Sequence, residues 1–502
     1  MSFATRYVTL LVLACFLTAC SGGGGDPQPP PTTTAPSNLS YASPQQFTVG
    51  QAIAELSPSV SGVVTAYSVS PALPAGLSLN TSSGHITGTP QTATPQATYT
   101  ITASNSGGST AFAITITVQD AESFWLEPTQ ATTIGVDQII QLFAALQKSS
   151  DPYPHYIDSA SLDFSSSNTN VASIDSEGHV LALSEGTAVI SAADGTHSSQ
   201  LTVTVSGHMD QRSIAVAGQG NRSYRIYVPN FTSGAAHPAI LAMHGGGGSA
   251  MLQASMTRLN ELAAQEGIYI VYLEGSGLIQ TFNAGACCGY AQSQAIDDVL
   301  YASRVLDDIE ATYAIDSDKT FATGFSNGGM MAHRLACALS DRIAGIAAVS
   351  GGSAEFDKDG NQYFVCNPQR PIPVLHIHAL NDRNYPYEGG SGAGISGSNF
   401  YSIDATIHDW IARNNVTDEA STEQVTSTTT CYRHATPADT SKPSAPVVLC
   451  KIDPPDVFDP ANEVVFGGGH SWPGGVKSPS ENSDVPNRDF DANTYLWGFL
   501  NP

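Results

Sequence analysis

The hydrophobic rhythm of the chain changes along its 502 residues. From residue 37 to about 119, runs such as "ATYTITASN" and "TAFAITITV" alternate apolar and polar positions between clusters of Gly, Pro, Ser and Asn. Alternation with a period of two predicts short antiparallel strands with one face turned inward, as in a small β-sandwich. Residues 120 to about 206 have a similar texture and predict a second sandwich. The two stretches are too loosely alike to be read as a repeat. After about residue 207 the apolar runs become nearly continuous: "HPAILAMHG", "IYIVYLEG", "TFATGFS", "IAGIAAVSGG", "VLHIHAL". Strands apolar on both faces must be covered on both faces. Between them Ile296, Val299, Leu300, Leu306, Ile309 and Tyr313 recur at helical spacing. The expected architecture is multidomain, with two all-β sandwiches followed by an α/β domain built on a mostly parallel sheet.

The N-terminus departs from both textures. "MSFATRYVTLLVLACFLTAC" carries one basic residue, Arg6, then an apolar run from Tyr7 to Phe16. That run is too short to span a bilayer and reads as the core of a signal peptide. Leu17-Thr18-Ala19-Cys20 resembles the lipobox of bacterial lipoproteins. The resemblance implies cleavage before Cys20 and lipid attachment to its thiol, so the protein is expected to be exported and anchored at the cell surface or outer membrane. A plain secretory signal is the alternative. Residues 21–36, rich in Gly, Pro and Thr, read as a flexible linker. The expected organisation is a signal and lipobox over 1–20, the linker over 21–36, sandwiches over 37–119 and 120–206, and the α/β domain over 207–502.

Charge narrows the function. Nineteen basic residues stand against 44 acidic ones, a net charge of −25. Nucleic acid needs clustered Lys and Arg, so it is excluded as a partner.

The chemistry concentrates in "TFATGFSNGGMMAHRLAC". Gly324-Phe325-Ser326-Asn327-Gly328 fits G-x-S-x-G between an apolar strand and a helical pattern. A sharp strand-to-helix turn there would expose Ser326 as a nucleophile at the carboxyl edge of the sheet. A serine hydroxyl needs a base. His376 and His378 lie inside a strand, and His333 lies in the helix after Ser326, so all three read as packed. His470, in "GGGHSWPGG" after the run "EVVF", sits on a loop off a strand end and is the expected base. The orienting acid should fall between nucleophile and base in the chain. Asp382 directly follows the strand "VLHIHAL". Asp357 and Asp359 lie in a polar insertion, and Asp404 and Asp409 on a helix, where solvation is expected. The oxyanion donors are expected to be the Asn327 N–H and that of Gly245 or Gly246 in "MHGGGGSA". No Lys-Ser/Thr follows those glycines, which argues against a phosphate loop.

Over about 213–502, "HGGGGSA", "FNAGACCGYA", "AIDDVLYASRVLDDI", "ATGFSNGGMMAHRLAC", "PVLHIHALND" and "GGGHSWPGG" together resemble the secreted esterases known as polyhydroxybutyrate depolymerases and feruloyl esterases. The resemblance implies an α/β-hydrolase fold, a triad on Ser326, Asp382 and His470, and no cofactor or metal. Phe282 stands where that family usually has Trp, and "ALND" replaces "GTAD" before the acid. Phe282, Tyr385, Tyr387 and Trp472 are expected to wall the substrate cleft, with core packing as the alternative for each. The expected substrates are ester-linked polymers or their oligomers: feruloyl or acetyl esters of plant polysaccharide, or short polyhydroxyalkanoate chains. A surface adhesin with a hydrolase-like domain that only binds is the rival reading. "LPAGLSLNTSSGHITGTP" and "SSSNTNVASIDSEGHVLALSEGTAVISAADG" resemble Ig-like modules of bacterial surface proteins. Such modules imply contact with polysaccharide or a cell surface, or a spacer role. Neither shows an aromatic platform for sugar, which favours the spacer.

Six cysteines remain after Cys15 and Cys20: Cys287, Cys288, Cys337, Cys366, Cys431 and Cys450. An even number in an exported chain predicts disulfides. The adjacent pair lacks the spacing of a zinc site or a redox motif. Cys431 and Cys450 flank one expected hairpin and should pair. That leaves Cys337 and Cys366 as separate partners for Cys287 and Cys288, a clamp under the active site.

Overall fold

A computed structural model of the chain describes residues 33–231, 234–393, 398–454, 458–459, 464–465, 467–478 and 483–502. The expected signal, the lipid site at Cys20 and most of the linker lie outside the described residues. The chain divides after Ala121 into two compact bodies.

In the first body, strands Gln45–Thr48, Gly108–Gln119, Thr94–Asn105 and Ala66–Ser70 form one sheet in that order. Alternation places every second residue inside: Tyr99, Ile101 and Ala103 on one strand, Ile114, Ile116 and Val118 on its neighbour. With Leu39, Tyr67 and Ile86 they make a single small core that holds no cysteine.

The second body begins with a sandwich whose core includes Leu126, Ile134, Val180, Ile190 and Val203. It continues without a break into the α/β sheet through one long strand, β1 (Ser198–Val216). The first part of β1 pairs with Gly186–Ala193 and, in parallel, with Thr132–Val136 of the sandwich. Its second part pairs with β2 (Gly220–Val228). The strand therefore runs on through positions 206 and 207, where its pairing passes from sandwich strands to β2.

The further elements that build the main sheet and its cover are β3 (His237–Met243), β4 (Tyr269–Leu273), α1 (Asp298–Thr312), β5 (Ile315–Phe325), α2 (Asn327–Ala338), β6 (Gly345–Val349), β7 (Val374–Ala379), α3 (Ile403–Arg413), β8 (Ser421–Gln424), β9 (Thr429–His434), β10 (Val447–Ile452) and α4 (Ala492–Leu500), with shorter helices and strands between them. The sheet order is β1-β2-β4-β3-β5-β6-β7-β10-β9-β8. Strands β4, β3, β5, β6, β7 and β10 run parallel. The edge strands are antiparallel. Alternate residues of one strand feed opposite cores, which is why the sequence runs read as continuously apolar. Leu241 and Met243 face the side covered by α1, α2 and α3, with Tyr301, Leu306, Met331 and Trp410. Ile240 and Ala242 face the other side, with Leu259, Leu496 and Trp497. Because β3, β5 and β7 are parallel, their carboxyl ends share one edge, and the loops leaving that edge carry the site.

Candidate active site

The nucleophile turn joins β5 to α2 at a single residue. Ser326 has φ 55° and ψ −119°, a conformation that only tight packing sustains in a residue with a Cβ. Two glycines make the turn possible. A Cβ on Gly324 would stand 2.3 Å from the Gly328 carbonyl carbon, and one on Gly328 would stand 2.1 Å from Met243 O. Strand, helix and the end of β3 thus meet through bare backbone. The turn is tied down by Ser326 N–H donating to Val349 O (2.9 Å) and Met330 N–H donating to Ser326 O (3.0 Å).

His470 Nε2 lies 2.8 Å from Ser326 Oγ, and His470 Nδ1 lies 2.8 Å from Asp382 Oδ2. Asp382 is buried, and its other oxygen accepts the N–H groups of Asn384 (2.9 Å) and Tyr385 (2.8 Å). Those bonds fix the carboxylate so that one oxygen faces the imidazole. Burial pushes the His470 pKa down, but the charge and hydrogen bond of Asp382 and the charge of Asp484 outweigh it and hold the imidazole above its ordinary value.

The glycine loop after β3 runs beside the nucleophile. A Cβ at 245 would lie 3.3 Å from Ser326 Cβ, and one at 246 would lie 4.0 Å from Asn327 Cβ. Gly247 N–H donates to Gln280 O (2.8 Å) and Gly248 N–H to Gly245 O (3.0 Å), and Gly245 and Gly246 are the loop residues beside Ser326 and Asn327. His244 holds the loop from below. Its Nδ1 lies 2.7 Å from Gly245 O, and its Nε2 accepts Gly275 N–H (3.0 Å). Burial lowers its pKa to about 4, so the ring is neutral and its tautomer is set by those two bonds.

Three groups around the site carried no sequence signal of their own. Asp484 accepts His470 N–H (2.6 Å) and Val465 N–H (2.8 Å), so it shapes the turn that presents the imidazole. Asn381 Oδ1 accepts Gly469 N–H (2.9 Å), joining the acid's loop to the base's loop. The Asn327 side chain grips Phe282, accepting its N–H (2.7 Å) and donating to its carbonyl (2.9 Å). The adjacency of Asn381 to Asp382 and of Asn327 to Ser326 is the only hint the sequence holds.

The cleft residues depart from expectation. Phe282, Tyr385, Tyr387 and Trp472 are all buried and do not wall an open cleft. Phe282 packs on His244 at 4.7 Å between ring centroids. Trp472 Nε1 donates to Asn493 Oδ1 (3.0 Å), Tyr385 OH to Tyr401 O (2.8 Å) and Tyr387 OH to Asp404. Turned inward, each ring buries its apolar body and still satisfies its polar tip.

The cysteines differ as well. Cys431 bonds to Cys450 across paired strands, at the register position expected of that hairpin. Cys337 of α2 bonds to Cys366, with their Cα atoms 4.9 Å apart. These two close on each other and so are not available to the adjacent pair. Cys287 and Cys288 bond to each other across a cis peptide. Their loop is held to the nucleophile turn by the Asn327–Phe282 hydrogen bonds and by Arg334 donating to Asn283 O, rather than by disulfides.

His333, His376 and His378 are fully buried and form a ladder. Trp410 Nε1 donates to His333 Nδ1 (2.9 Å), His333 Nε2 lies 3.3 Å from His376 Nδ1, His376 Nε2 lies 3.2 Å from His378 Nδ1, and His378 Nε2 lies 2.8 Å from Tyr385 O. The Trp410 N–H at one end fixes every tautomer along the row. Burial lowers all three pKa values, to about 3 for His333. They are neutral, and His378 stands 3.5 Å behind Asp382; Asp404 and Asp409 lie on α3.

The strand order, the serine at a strand-to-helix turn, and the histidine and aspartate on neighbouring loops define the fold as that of the α/β-hydrolases. A sequence profile described as phospholipase/carboxylesterase matches residues 231–396. The chain is 30% identical over 276 residues to "Putative esterase NocK" of Nocardia uniformis subsp. tsuyamanensis, a match covering 53% of this chain and 74% of that one. It belongs to this esterase family. Similarity extends to feruloyl esterase B of Piromyces equi (27% over 245 residues; 48% of this chain, 41% of that one). It extends also to the bifunctional acetylxylan esterase/xylanase XynS20E of Neocallimastix patriciarum (28% over 171 residues; 34% and 23%). The chain thus spans less than half the length of these last two relatives. Upstream, residues 30–119 match a profile described as "Putative Ig domain" and residues 129–205 a bacterial Ig-like domain of group 2.

Proposed function

We propose that the protein is an extracellular serine carboxylic-ester hydrolase acting on feruloyl or acetyl esters of plant polysaccharide or their oligomers. The observation that carries this reading is the continuous contact from Ser326 Oγ through His470 to Asp382, 2.8 Å at each step. His470 takes the serine proton as Oγ attacks the ester carbonyl. The N–H groups of Asn327 and of Gly245 or Gly246 receive the developing oxyanion, each donor contributing ~3 kcal/mol to the transition state. His470 then protonates the leaving alcohol, and water repeats the sequence on the acyl-enzyme. Asp382 holds the imidazole in its working tautomer and stabilises its charged form.

The relatives named as feruloyl and acetylxylan esterases support the substrate class. The rim of the glycine loop supports an apolar or aromatic acyl group. Leu278 is fully exposed, Ile279 is 59% and Tyr290 50% exposed, and Ile279 Cγ2 approaches the Cβ position of Gly247 to 3.6 Å. The test is turnover of p-nitrophenyl acetate, then of methyl ferulate, acetylated xylan and hydroxybutyrate oligomers. Wild type should hydrolyse the first three, and Ser326→Ala should lose hydrolysis while keeping its circular dichroism spectrum. Undiminished activity in Ser326→Ala refutes the nucleophile. Preference for hydroxybutyrate oligomers refutes the substrate class.

A further inference from the structure

The loop that carries His470 is held from two directions. Within the α/β domain, Asp484 and Asn381 fix its backbone, as described above. Asn487 adds to this: its Nδ2 donates to Gly467 O (2.9 Å), and its carbonyl accepts Gly474 N–H (2.7 Å). Those two contacts bracket the histidine. The next residue, Arg488, leaves the α/β domain and pairs with Glu127 of the second sandwich.

Glu127 is built to receive it. Its side chain is 3% exposed. It also accepts Trp125 Nε1 (3.3 Å) and Tyr156 OH (3.1 Å) from within the sandwich. A buried carboxylate is costly unless it is satisfied, and here the third donor to the same Oε1 comes from the residue after Asn487, which is tied to the histidine loop. On the other flank, Lys477 Nζ stands 5.1 Å over the Tyr156 ring. Arg258 bridges Gly474 O and the sandwich carbonyl Ala131 O, both at 3.4 Å. The remaining seam is close-packed and specific. Asn260 Nδ2 donates to Gln138 Oε1 (2.7 Å), Thr132 Oγ1 donates to Glu261 Oε1 (2.5 Å), and a residual cavity there measures about 10 Å³. With β1 shared between the two layers, the sandwich cannot move as a tethered spacer would.

We propose that the second sandwich is a working part of the esterase: Glu127 and Tyr156 are positioning residues that hold both flanks of the His470 loop and so set the aim of the imidazole at Ser326. This goes beyond a spacer role for the Ig-like domain. It rests on His470 being the base in the reading above.

The experiment uses the full chain with Arg488→Gln, Glu127→Gln, their double variant and Arg488→Lys. Arg488 is 42% exposed, and Trp125 and Tyr156 still donate to Glu127 without it, so Arg488→Gln is the variant expected to fold even if Glu127→Gln does not. Two quantities are read: kcat and KM on p-nitrophenyl acetate, and hydrogen exchange of the peptide over 467–478. A small displacement of a catalytic group lowers kcat without changing ground-state binding, so each single variant should lose roughly tenfold in kcat at unchanged KM. The double variant should lose no more than the worse single, because both act through one contact. Arg488→Lys should recover most of the loss. Exchange should quicken over 467–478 and stay unchanged in β3 and β7. Wild-type kcat and wild-type exchange in folded Arg488→Gln would overturn the proposal, as would losses that multiply in the double variant. Exchange decides the matter without turnover, so a wild type inactive on every ester would refute the esterase reading and leave this one still judged.

Discussion

Replacing Gly328 with alanine tests how closely the site is built on backbone contact. The added Cβ would fall 2.1 Å from Met243 O and 2.5 Å from Met243 C. Against the 3.4 Å at which ordinary contact begins, the shortfall is about 1.3 Å. Both obstructing atoms are backbone at the end of β3, so no side-chain rotation relieves the clash. Either the first turn of α2 or the end of β3 must move by about an ångström. The first carries the Asn327 N–H and the second leads into Gly245 and Gly246, so the two oxyanion donors are driven apart. A misplacement of about 1 Å costs on the order of 10²-fold in rate, which is ~2.7 kcal/mol of transition-state stabilisation. Overpacking should also remove about 1–3 kcal/mol of stability. The assay is kcat on p-nitrophenyl acetate, with folding checked by circular dichroism at the assay temperature. Gly498→Ala on α4 is the control, since a Cβ there would have nothing within 4 Å, and it should stay within a few-fold of wild type. A folded Gly328→Ala enzyme within about threefold of wild-type kcat would refute the argument, because the donors would then tolerate the displacement.

Two further outcomes follow from contacts already described. The His470 pKa is raised, and only the neutral ring can act as base, so kcat/KM should fall as pH drops through that raised value. Asp382→Asn removes the charge that raises it: the acid limb should shift to lower pH while the plateau falls by about 10⁴-fold, and a limb that stays in place would contradict the pairing. The Cys337–Cys366 bond closes a separation of 29 residues, so a Cys337→Ser, Cys366→Ser double variant should lose about 3–4 kcal/mol by urea unfolding, and an unchanged midpoint would show that the bond contributes nothing.

Much of the fold was legible because the sheet imposes its own signature. A strand covered on both faces is apolar nearly throughout, and "AILAM" reads as such a strand. Ser326 was legible because its turn demands glycines at fixed offsets. Asp382 was legible because it closely follows a central strand, Val374–Ala379; His470 was legible as a loop residue after an apolar run, although Val464–Val465 pair only in a small separate sheet. The aromatic residues were not, because a tyrosine three residues past the acid reads the same whether its ring turns outward or packs inward. Only the tertiary partners, Tyr401 for Tyr385 and Asn493 for Trp472, decide that. The Cys431–Cys450 pairing was legible from its hairpin, but the partners expected for Cys287 and Cys288 were not: outside a hairpin, spacing along the chain does not say which side chains meet, and Cys337 and Cys366 meet each other. Asp484 escaped notice because it sits in a polar stretch 14 residues from His470, where one carboxylate looks like any other. The texture change near residue 207 marked a real shift in packing, yet β1 runs through it, since a hydrogen-bonded ladder can continue where the layers on its faces change.

The row of His333, His376 and His378 also limits where this fold can survive. Folded, the three imidazoles stay neutral, because burial holds their proton affinity below that of a free side chain. Unfolded, each takes up a proton once the pH drops below about 6.5. The open chain therefore binds more protons than the native one, and the balance tilts toward unfolding as acidity rises. The same row that stands behind Asp382 is a proton sink released by unfolding, so its contribution to stability is lost as the pH falls below about 6.5.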